Sequence, residues 1–283
     1  MIKNARIAKI IVRFTYIFVL WVIAIHNLPF WLFGIVPRTH TNLTDGNQPL
    51  IAQTVYIHDM NVDLNVQLTA IGQTVCSFTV GISYSTAGCI FFTFILHACG
   101  QLQILKMHLE NIFDEDVTKI DDRKIPEAIA NNVRRHQRLI KFIATVEKVY
   151  HLMFLQQFIG ITIALSTEEF LVISILVGDV EISTLGMIFC VFYTIYCAFM
   201  TLMYCSGGEF LIENSLELYS AAYNSRWYNS QRTYRKELTM IIKRAQKPMF
   251  ITAGKFVPIS LNTYARLIKT SASYMSVLLA AKS

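Results

Sequence analysis

The stretch Phe14–Val36 reads FTYIFVLWVIAIHNLPFWLFGIV and contains no formally charged residue. Its 23 residues are enough for a helix to cross the roughly 30 Å hydrocarbon core of a bilayer. The stretch is also longer than the apolar core of a signal peptide. We therefore interpret it as a first transmembrane helix that stays in the mature protein.

Further charge-poor runs alternate with polar stretches along the chain. These runs are Leu64–Leu105, Val149–Thr167 and Ile182–Gly208, followed by a weaker segment, Pro248–Ala281. Only 16% of the 283 residues are charged, whereas soluble domains contain about 25%. The sequence therefore predicts an all-α, polytopic membrane helix bundle with five transmembrane helices.

The basic residues predict the orientation of this bundle. Twenty of the 25 Lys and Arg residues fall in the N-terminal arm, residues 106–148 and residues 209–248, whereas the predicted outer loops contain only Arg38. Short loops rich in Lys and Arg remain on the cytoplasmic side, so we expect a cytoplasmic N-terminus and an extracellular C-terminus. A glycosylation sequon begins at Asn42 in the predicted outer loop 37–63, which agrees with this orientation.

Several function classes are disfavoured. The net charge of +6 lies at one membrane face, which favours contact with anionic lipid over nucleic-acid binding. No hydrolase, metalloprotease or nucleotide-binding motif is present, and the adjacent Glu168 and Glu169 suit a solvated helix face better than catalysis. The six cysteines lie in apolar runs without CxxC spacing, so we expect buried thiols. The sequence predicts no enzyme, no metal and no cofactor.

Polar segments within the runs leave alternatives open. The small, hydroxylated segment Ser77–Gly88 suits either helix packing or a ligand-lined wall. His26 and Asn27 mark either a cavity or the membrane interface. The aromatic residues of Ile182–Gly208 are more typical of a core than of a ligand site.

Amphipathic patterns extend beyond the apolar runs. Ala128–Glu147 predicts a helix that continues into the third run, and Thr233–Gln246 predicts a basic helix that ends before Pro248. In the last segment, polar and small residues recur every three or four positions, which places them on one helix face. A polar stripe of this kind suits an aqueous pathway better than lipid. Its members are Thr263, Arg266, Thr270, Ser273, Val277 and Ala281.

The stretch Lys247–Leu261, KPMFITAGKFVPISL, and the residues after it strongly resemble the last helix of insect odorant receptors. HACGQL from His97 to Leu102 and NVRRH from Asn132 to His136 support this resemblance, as do Tyr223 and Trp227. Members of this family have seven transmembrane helices and form tetrameric ligand-gated cation channels, usually with a shared co-receptor subunit. The helices of this chain resemble family helices three to seven, so we expect the first two to be absent.

The resemblance implies different roles for different segments of the chain. Residues 1–105 and 149–208 would form the transmembrane ligand-sensing bundle, 106–148 and 209–248 the cytoplasmic anchor-like helices, and 249–283 the pore-lining last helix. The implied ligand-binding positions are Trp21, Val22, Ile25, Phe78, Ile82, Tyr84, Met187, Phe189 and Tyr193. The implied pore positions are Thr270, Ser273, Val277 and Ala281, with the last two at the constriction.

The function implied is that of an odorant receptor subunit in a heteromeric, odorant-gated cation channel. Its partners would be a small, volatile, mostly apolar odorant, the co-receptor subunit of a hetero-tetramer, and membrane lipid. Its location would be the plasma membrane of olfactory sensory neurons. A gustatory-type receptor of the same superfamily and a truncated, non-responsive subunit are alternatives. A transporter or a metabotropic receptor is another, although the internal repeats typical of transporters are not found.

Overall fold

The structure is a computed structural model that describes residues 2–34, 50–52, 62–112, 124–176, 178, 184–225, 227–229 and 231–282. Its elements in chain order are α1 (Ile2–Phe33), α2 (Asp63–Glu110), α3 (Lys124–Leu176), α4 (Thr184–Asn224), a 3-10 turn (Trp227–Asn229), α5 (Arg232–Ala245), β1 (Thr252–Ala253), β2 (Val257–Pro258) and α6 (Leu261–Lys282). The predicted all-α class is confirmed, apart from the two short strands.

Helices α1 to α4 are each long and apolar enough to cross a membrane. Each includes all or most of one charge-poor run, which confirms that the chain is a polytopic helical membrane protein. Helix α6 has 22 residues, and Arg266 and Lys269 interrupt its apolar sequence. Among the described residues it falls short of the apolar composition that α1 to α4 reach, so a fifth crossing stays a prediction.

The helices extend well beyond the apolar runs. Helix α3 has 53 residues, which at 1.5 Å per residue corresponds to about 80 Å. It begins at Lys124 and continues through the apolar run Val149–Thr167 without a break, as the amphipathic pattern predicts. Helix α4 likewise continues past Gly208 to Asn224. Much of both helices therefore lies outside the roughly 30 Å that a bilayer core can cover.

Packing divides the chain into two compact units. The first consists of Met1–Lys9, Ile90–Phe158 and Leu202–Ala265. At its core, the rings of Phe91 and Phe154 lie 4.6 Å apart and those of Phe154 and Tyr204 lie 5.3 Å apart. All three side chains are less than 2% exposed, so the first unit has an aromatic centre.

A β-hairpin in the first unit precedes the last helix, and the sequence pattern does not predict it. Strands β1 and β2 pair antiparallel, and Gly254 and Lys255 turn the chain between them with φ values of 62° and 68°. Thr252 donates a 2.6 Å hydrogen bond from Oγ1 to Glu147 Oε1, and the Gly254 amide donates to the carbonyl of His151 at 2.9 Å. These bonds fix the hairpin to α3, and α6 begins only at Leu261.

The second unit consists of Ile10–Cys89, Ile159–Thr201 and Arg266–Ser283. It contains all of the predicted ligand-binding and pore positions. Of the six cysteines, all free, five are buried as expected, and Cys76 of this unit is exposed.

Candidate functional site

Aromatic rings join α1 to α4 throughout the second unit. Among the described residues five ring pairs connect the two helices: Phe14 with Phe199 at 5.2 Å, Phe18 with Tyr196 at 5.6 Å and with Phe199 at 6.2 Å, Trp21 with Phe192 at 5.3 Å and His26 with Phe189 at 4.5 Å. Residue numbers rise along α1 as they fall along α4, so the helices pack antiparallel. Aromatic pairs at these distances stabilise a contact beyond the area that they bury, which gives this side of the unit a continuous aromatic seam.

Helix α1 contacts α2 through hydroxyl and amide groups. Three side-chain pairs form this contact: Tyr16 Oη with Thr86 Oγ1 at 2.8 Å, Asn27 Nδ2 with Ser77 Oγ at 3.1 Å and Trp31 Nε1 with Thr74 Oγ1 at 3.0 Å. A Cβ atom on Gly81 would lie 2.8 Å from Ile23 Cδ1, so the absence of a side chain permits the close approach. Ser77, Gly81 and Thr86 of the hydroxylated segment therefore take part in helix packing, the first of its two predicted roles.

Tyr196 is the point where α1, α2 and α4 meet. Its hydroxyl lies 2.8 Å from Ser85 Oγ, and its ring lies 5.6 Å from that of Phe18 and 6.4 Å from that of Tyr84. Only 5% of Tyr196 is exposed. A buried phenol needs a hydrogen-bond partner, and Ser85 supplies it.

The predicted ligand-binding residues lie on these same three helices, with different degrees of burial. Val22 is buried, and Ile25, Tyr84, Phe189 and Tyr193 are partly buried. The more exposed members are Trp21, Phe78, Ile82 and Met187. The rings of Phe189 and Tyr193 stack with centroids 5.8 Å apart, so these two side chains pack against each other. Contact of all these residues with a ligand stays a prediction.

The predicted ligand-binding set omits four residues that make contacts between these helices: Phe18, Phe192 and Tyr196 in the aromatic seam, and Ser85, which is hydrogen-bonded to Tyr196. The aromatic members recur at helical spacing with Phe189 and Phe199, which was the available signal. Tyr196 is buried, which agrees with the interpretation of the α4 aromatic residues as core, whereas Phe18 and Phe192 are partly buried. Which α1 residue faces which α4 residue depends on the register between helices, and a single sequence does not encode that register locally.

Helix α6 has a buried and an exposed side within the second unit. Ser271 is fully buried, whereas Val277 is 63% exposed, and Thr270 and Ser273 are exposed. These three predicted pore positions therefore lie away from the packed side of the helix. The side chain of Ala281 lies outside the described residues, as does Asn42, the predicted glycosylation site.

Thr263 does not follow the predicted stripe. It lies in the first unit, is only 3% exposed and donates from Oγ1 to the carbonyl of Pro258 at 2.6 Å. The expectation that Thr263 continues the water-facing stripe is therefore wrong, because this hydroxyl caps the end of the hairpin. The exposed stripe begins with Arg266.

Glu168 and Glu169 are not on a freely solvated helix face. Both are partly buried, and within the described residues the Oε2 atom of each is buried without a hydrogen-bond partner. Ser271 Oγ donates to Glu169 Oε1 at 3.3 Å, and Cys190 is hydrogen-bonded to Glu168. The adjacent carboxylates therefore face two different helices, Glu168 towards α4 and Glu169 towards α6.

Comparison with known proteins decides the family. A family model described as 7tm odorant receptor matches residues 2–272 of the chain. The chain belongs to this odorant receptor family. The predicted resemblance is thereby confirmed. Membership of a receptor family also agrees with the expectation that the chain is not an enzyme.

Curated relatives of this family member are odorant receptors and their co-receptors. Odorant receptor 67c of Drosophila melanogaster is 27% identical over 208 residues, which cover 71% of this chain and 48% of that protein. The odorant receptor coreceptor of Harpegnathos saltator is 26% identical over 167 residues, 59% of this chain and 34% of that protein. The chain spans about half the length of the curated odorant receptors that it matches.

Solved structures show the same fold. The olfactory receptor OR5 from Machilis hrabei, solved in complex with eugenol, superposes with a TM-score of 0.83, covering 99% of this chain and 68% of that chain at 18% identity. A second structure of the same receptor gives a TM-score of 0.80. At this identity the likeness concerns the helix arrangement alone.

Proposed function

We propose that this family member is a receptor subunit of an odorant-gated cation channel. It would act in the plasma membrane of olfactory sensory neurons as part of a hetero-tetramer with a co-receptor subunit. Its family membership and its similarity to both odorant receptors and co-receptors support this assignment. Its ligand would be a small, volatile, mostly apolar molecule.

The exposure pattern of α6 is the observation that carries the proposal. Thr270 and Ser273 carry hydroxyls on the exposed side of this helix, and Ser271 is buried on the opposite side. A polar helix face is unfavourable against lipid but favourable against water. In an assembled channel this face would therefore line the ion pathway, with exposed Val277 as an apolar ring that blocks ions when it is dry.

The predicted orientation of the chain in the membrane supports a ligand site that opens towards the extracellular side. The basic residues of the N-terminal arm, 106–148 and 209–248 favour a cytoplasmic location for those stretches, with the loop 37–63 and the end of α6 outside. The chain would then present α1, α2 and α4 of the second unit towards the extracellular half of the membrane. An odorant in the outer leaflet could reach that unit directly.

Gating follows from differential affinity. A ligand opens the channel only in so far as it binds the open arrangement more tightly than the closed one. The positions assigned to the ligand lie on α1, α2 and α4, and Glu169 on α3 contacts Ser271 of α6. A change in packing among the second unit's helices would thus shift α6 and hydrate the constriction.

Whole-cell recording tests the proposal. Cells that express this chain with an insect odorant co-receptor should show an odorant-evoked cation current, and either subunit alone provides the baseline. The variant Val277→Asp should raise the resting leak, because a charge at the constriction favours water, while Val277→Ala should not. Wild-type leak in surface-expressed Val277→Asp would contradict the pore assignment, and absence of an evoked current would contradict the receptor role.

A further inference from the structure

The imidazole of His26 in the second unit has a buried nitrogen without a hydrogen-bond partner among the described residues. Its ring lies 4.5 Å from that of Phe189 at an interplanar angle of 31°, so it is held against the aromatic seam. Its Nδ1 atom is buried, and no described residue hydrogen-bonds to it. A buried nitrogen without a partner is costly, which calls for an explanation.

The neighbouring Asn27, unlike His26 Nδ1, has hydrogen-bond partners in the structure. It is 3% exposed and its Nδ2 donates to the carbonyl of Ile23 at 2.8 Å and to Ser77 Oγ at 3.1 Å. Asn27 therefore joins α1 to α2 with its hydrogen bonds satisfied. His26 has no such role, because it points instead to α4.

The residues around His26 have the composition that is typical of small-molecule sites. Phe189 stacks on Tyr193 with ring centroids 5.8 Å apart, and the preceding residue of α1, Ile25, is partly buried. All three are proposed ligand-binding positions. Sites for small ligands typically combine such apolar walls with one or two polar groups that fix the orientation of the ligand.

We infer that His26 Nδ1 forms a hydrogen bond with the oxygen of the odorant, so that this site prefers volatile alcohols and carbonyl compounds to hydrocarbons of the same size. A neutral imidazole has one donor and one acceptor nitrogen. Nδ1 accepts from a hydroxyl in one tautomer and donates to a carbonyl in the other. The inference rests on the proposed odorant-receptor function and names the ligand class and the residue that selects it.

Matched ligands test the inference. Octane, 1-octanol and 2-octanone form one series of equal chain length, and ethylbenzene, 2-phenylethanol and acetophenone form an aromatic series. Concentrations for half-maximal current are measured in cells that express the chain with the co-receptor. We expect at least one oxygenated probe of a series to act at about tenfold lower concentration than its hydrocarbon, the usual size for one neutral hydrogen bond.

Three variants identify the residue responsible. His26→Phe keeps a ring against Phe189 but removes both nitrogens, so it should weaken the oxygenated probe about tenfold and leave the hydrocarbon unchanged. His26→Asn should retain part of the preference. His108→Phe replaces an exposed histidine of the first unit and serves as the control that changes neither value. Surface biotinylation confirms that each variant reaches the membrane.

The outcomes separate the inference from the function on which it rests. Loss of the preference in His26→Phe supports the inference. Three results would overturn it while leaving the receptor role intact: a wild type that responds equally to the hydrocarbon, a wild type that responds only to odorants outside the oxygenated class, and a surface-expressed His26→Phe with an unchanged preference. If no odorant evokes current from the wild type, both the receptor role and the inference are contradicted.

Discussion

The hydroxyl groups of Ser85 and Tyr196 lie 2.8 Å apart, both on buried side chains. Ser85 Oγ also lies 2.7 Å from the carbonyl of Gly81, to which it donates its single proton. Tyr196 must therefore donate to Ser85. This direction makes the two partners unequal, since Ser85 has a second hydrogen bond in its own helix.

Removal of the two hydroxyls should accordingly have different effects. Ser85→Ala leaves a buried phenol without an acceptor, which should cost about 1–3 kcal/mol of unfolding free energy. Tyr196→Phe leaves Ser85 bonded to Gly81, so it should cost about 1 kcal/mol or less. Thermal unfolding in detergent compares the two variants and the double variant. A larger loss for Tyr196→Phe than for Ser85→Ala would contradict this assignment of the donor.

Gly208 of α4 should not tolerate a side chain. A Cβ atom there would overlap the carbonyl oxygen of Ile259 and lie 2.9 Å from its carbonyl carbon. Backbone atoms cannot swing aside as side chains do, so Gly208→Ala should cost about 1–3 kcal/mol or more. Gly160→Ala is the matched control, because nothing lies within 4 Å of its Cβ position. Equal thermal stability of the two variants would refute the close contact between α4 and the residue after the hairpin.

His136 should make the first unit sensitive to acid. It lies on the charged part of α3, before the apolar run, and is 5% exposed. Burial, assisted by the charge of Arg244, lowers the pKa of His136 from 6.5 to about 4. Between these values the unfolded chain binds a proton that the folded chain does not, so unfolding free energy falls as pH falls, by about 3 kcal/mol at most.

Comparison with a variant isolates this effect from that of other titrating groups. His136→Gln should lose less stability than the wild type between pH 7 and pH 4.5, as measured by thermal unfolding. The exposed His108→Gln should behave as the wild type. Parallel acid sensitivity in all three proteins would show that His136 does not remain neutral in the folded state.

Asn42 should be glycosylated if the loop 37–63 is extracellular. In cells, treatment with an N-glycosidase should then increase the gel mobility of the wild type but not of Asn42→Gln. As a topology control, an asparagine sequon engineered into 209–248, the stretch predicted to be cytoplasmic, should remain unmodified. Modification of that engineered sequon would contradict the predicted orientation.

The membrane helices could be predicted from the sequence because their signal is local. Uncharged runs such as Phe14–Val36 identify the apolar helices, and the amphipathic pattern of Ala128–Glu147 predicts the continuous α3. The hairpin at Thr252–Pro258 was not predicted, because its turn depends on positive φ at Gly254 and Lys255 and its fixation on contacts with distant α3 residues.

The candidate site was predictable only in part. The periodicity of α6 selects Thr270, Ser273 and Val277, and all three are exposed. Thr263 departs from that periodicity because its hydroxyl bonds to the hairpin. The contacts of His26, Phe192 and Tyr196 depend on the register of α1 against α4, which distant residues determine together.

Cysteine accessibility along α6 tests most directly the claim that one side of this helix lines the ion pathway. In a Cys76→Ser background, which removes the exposed native thiol, a small cationic thiol reagent is applied to conducting channels. The account predicts that cysteines at Thr270, Ser273 and Val277 react and alter the current, whereas a cysteine at the buried Ser271 does not. Protection of all the exposed positions, or equally fast reaction at Ser271, would contradict it.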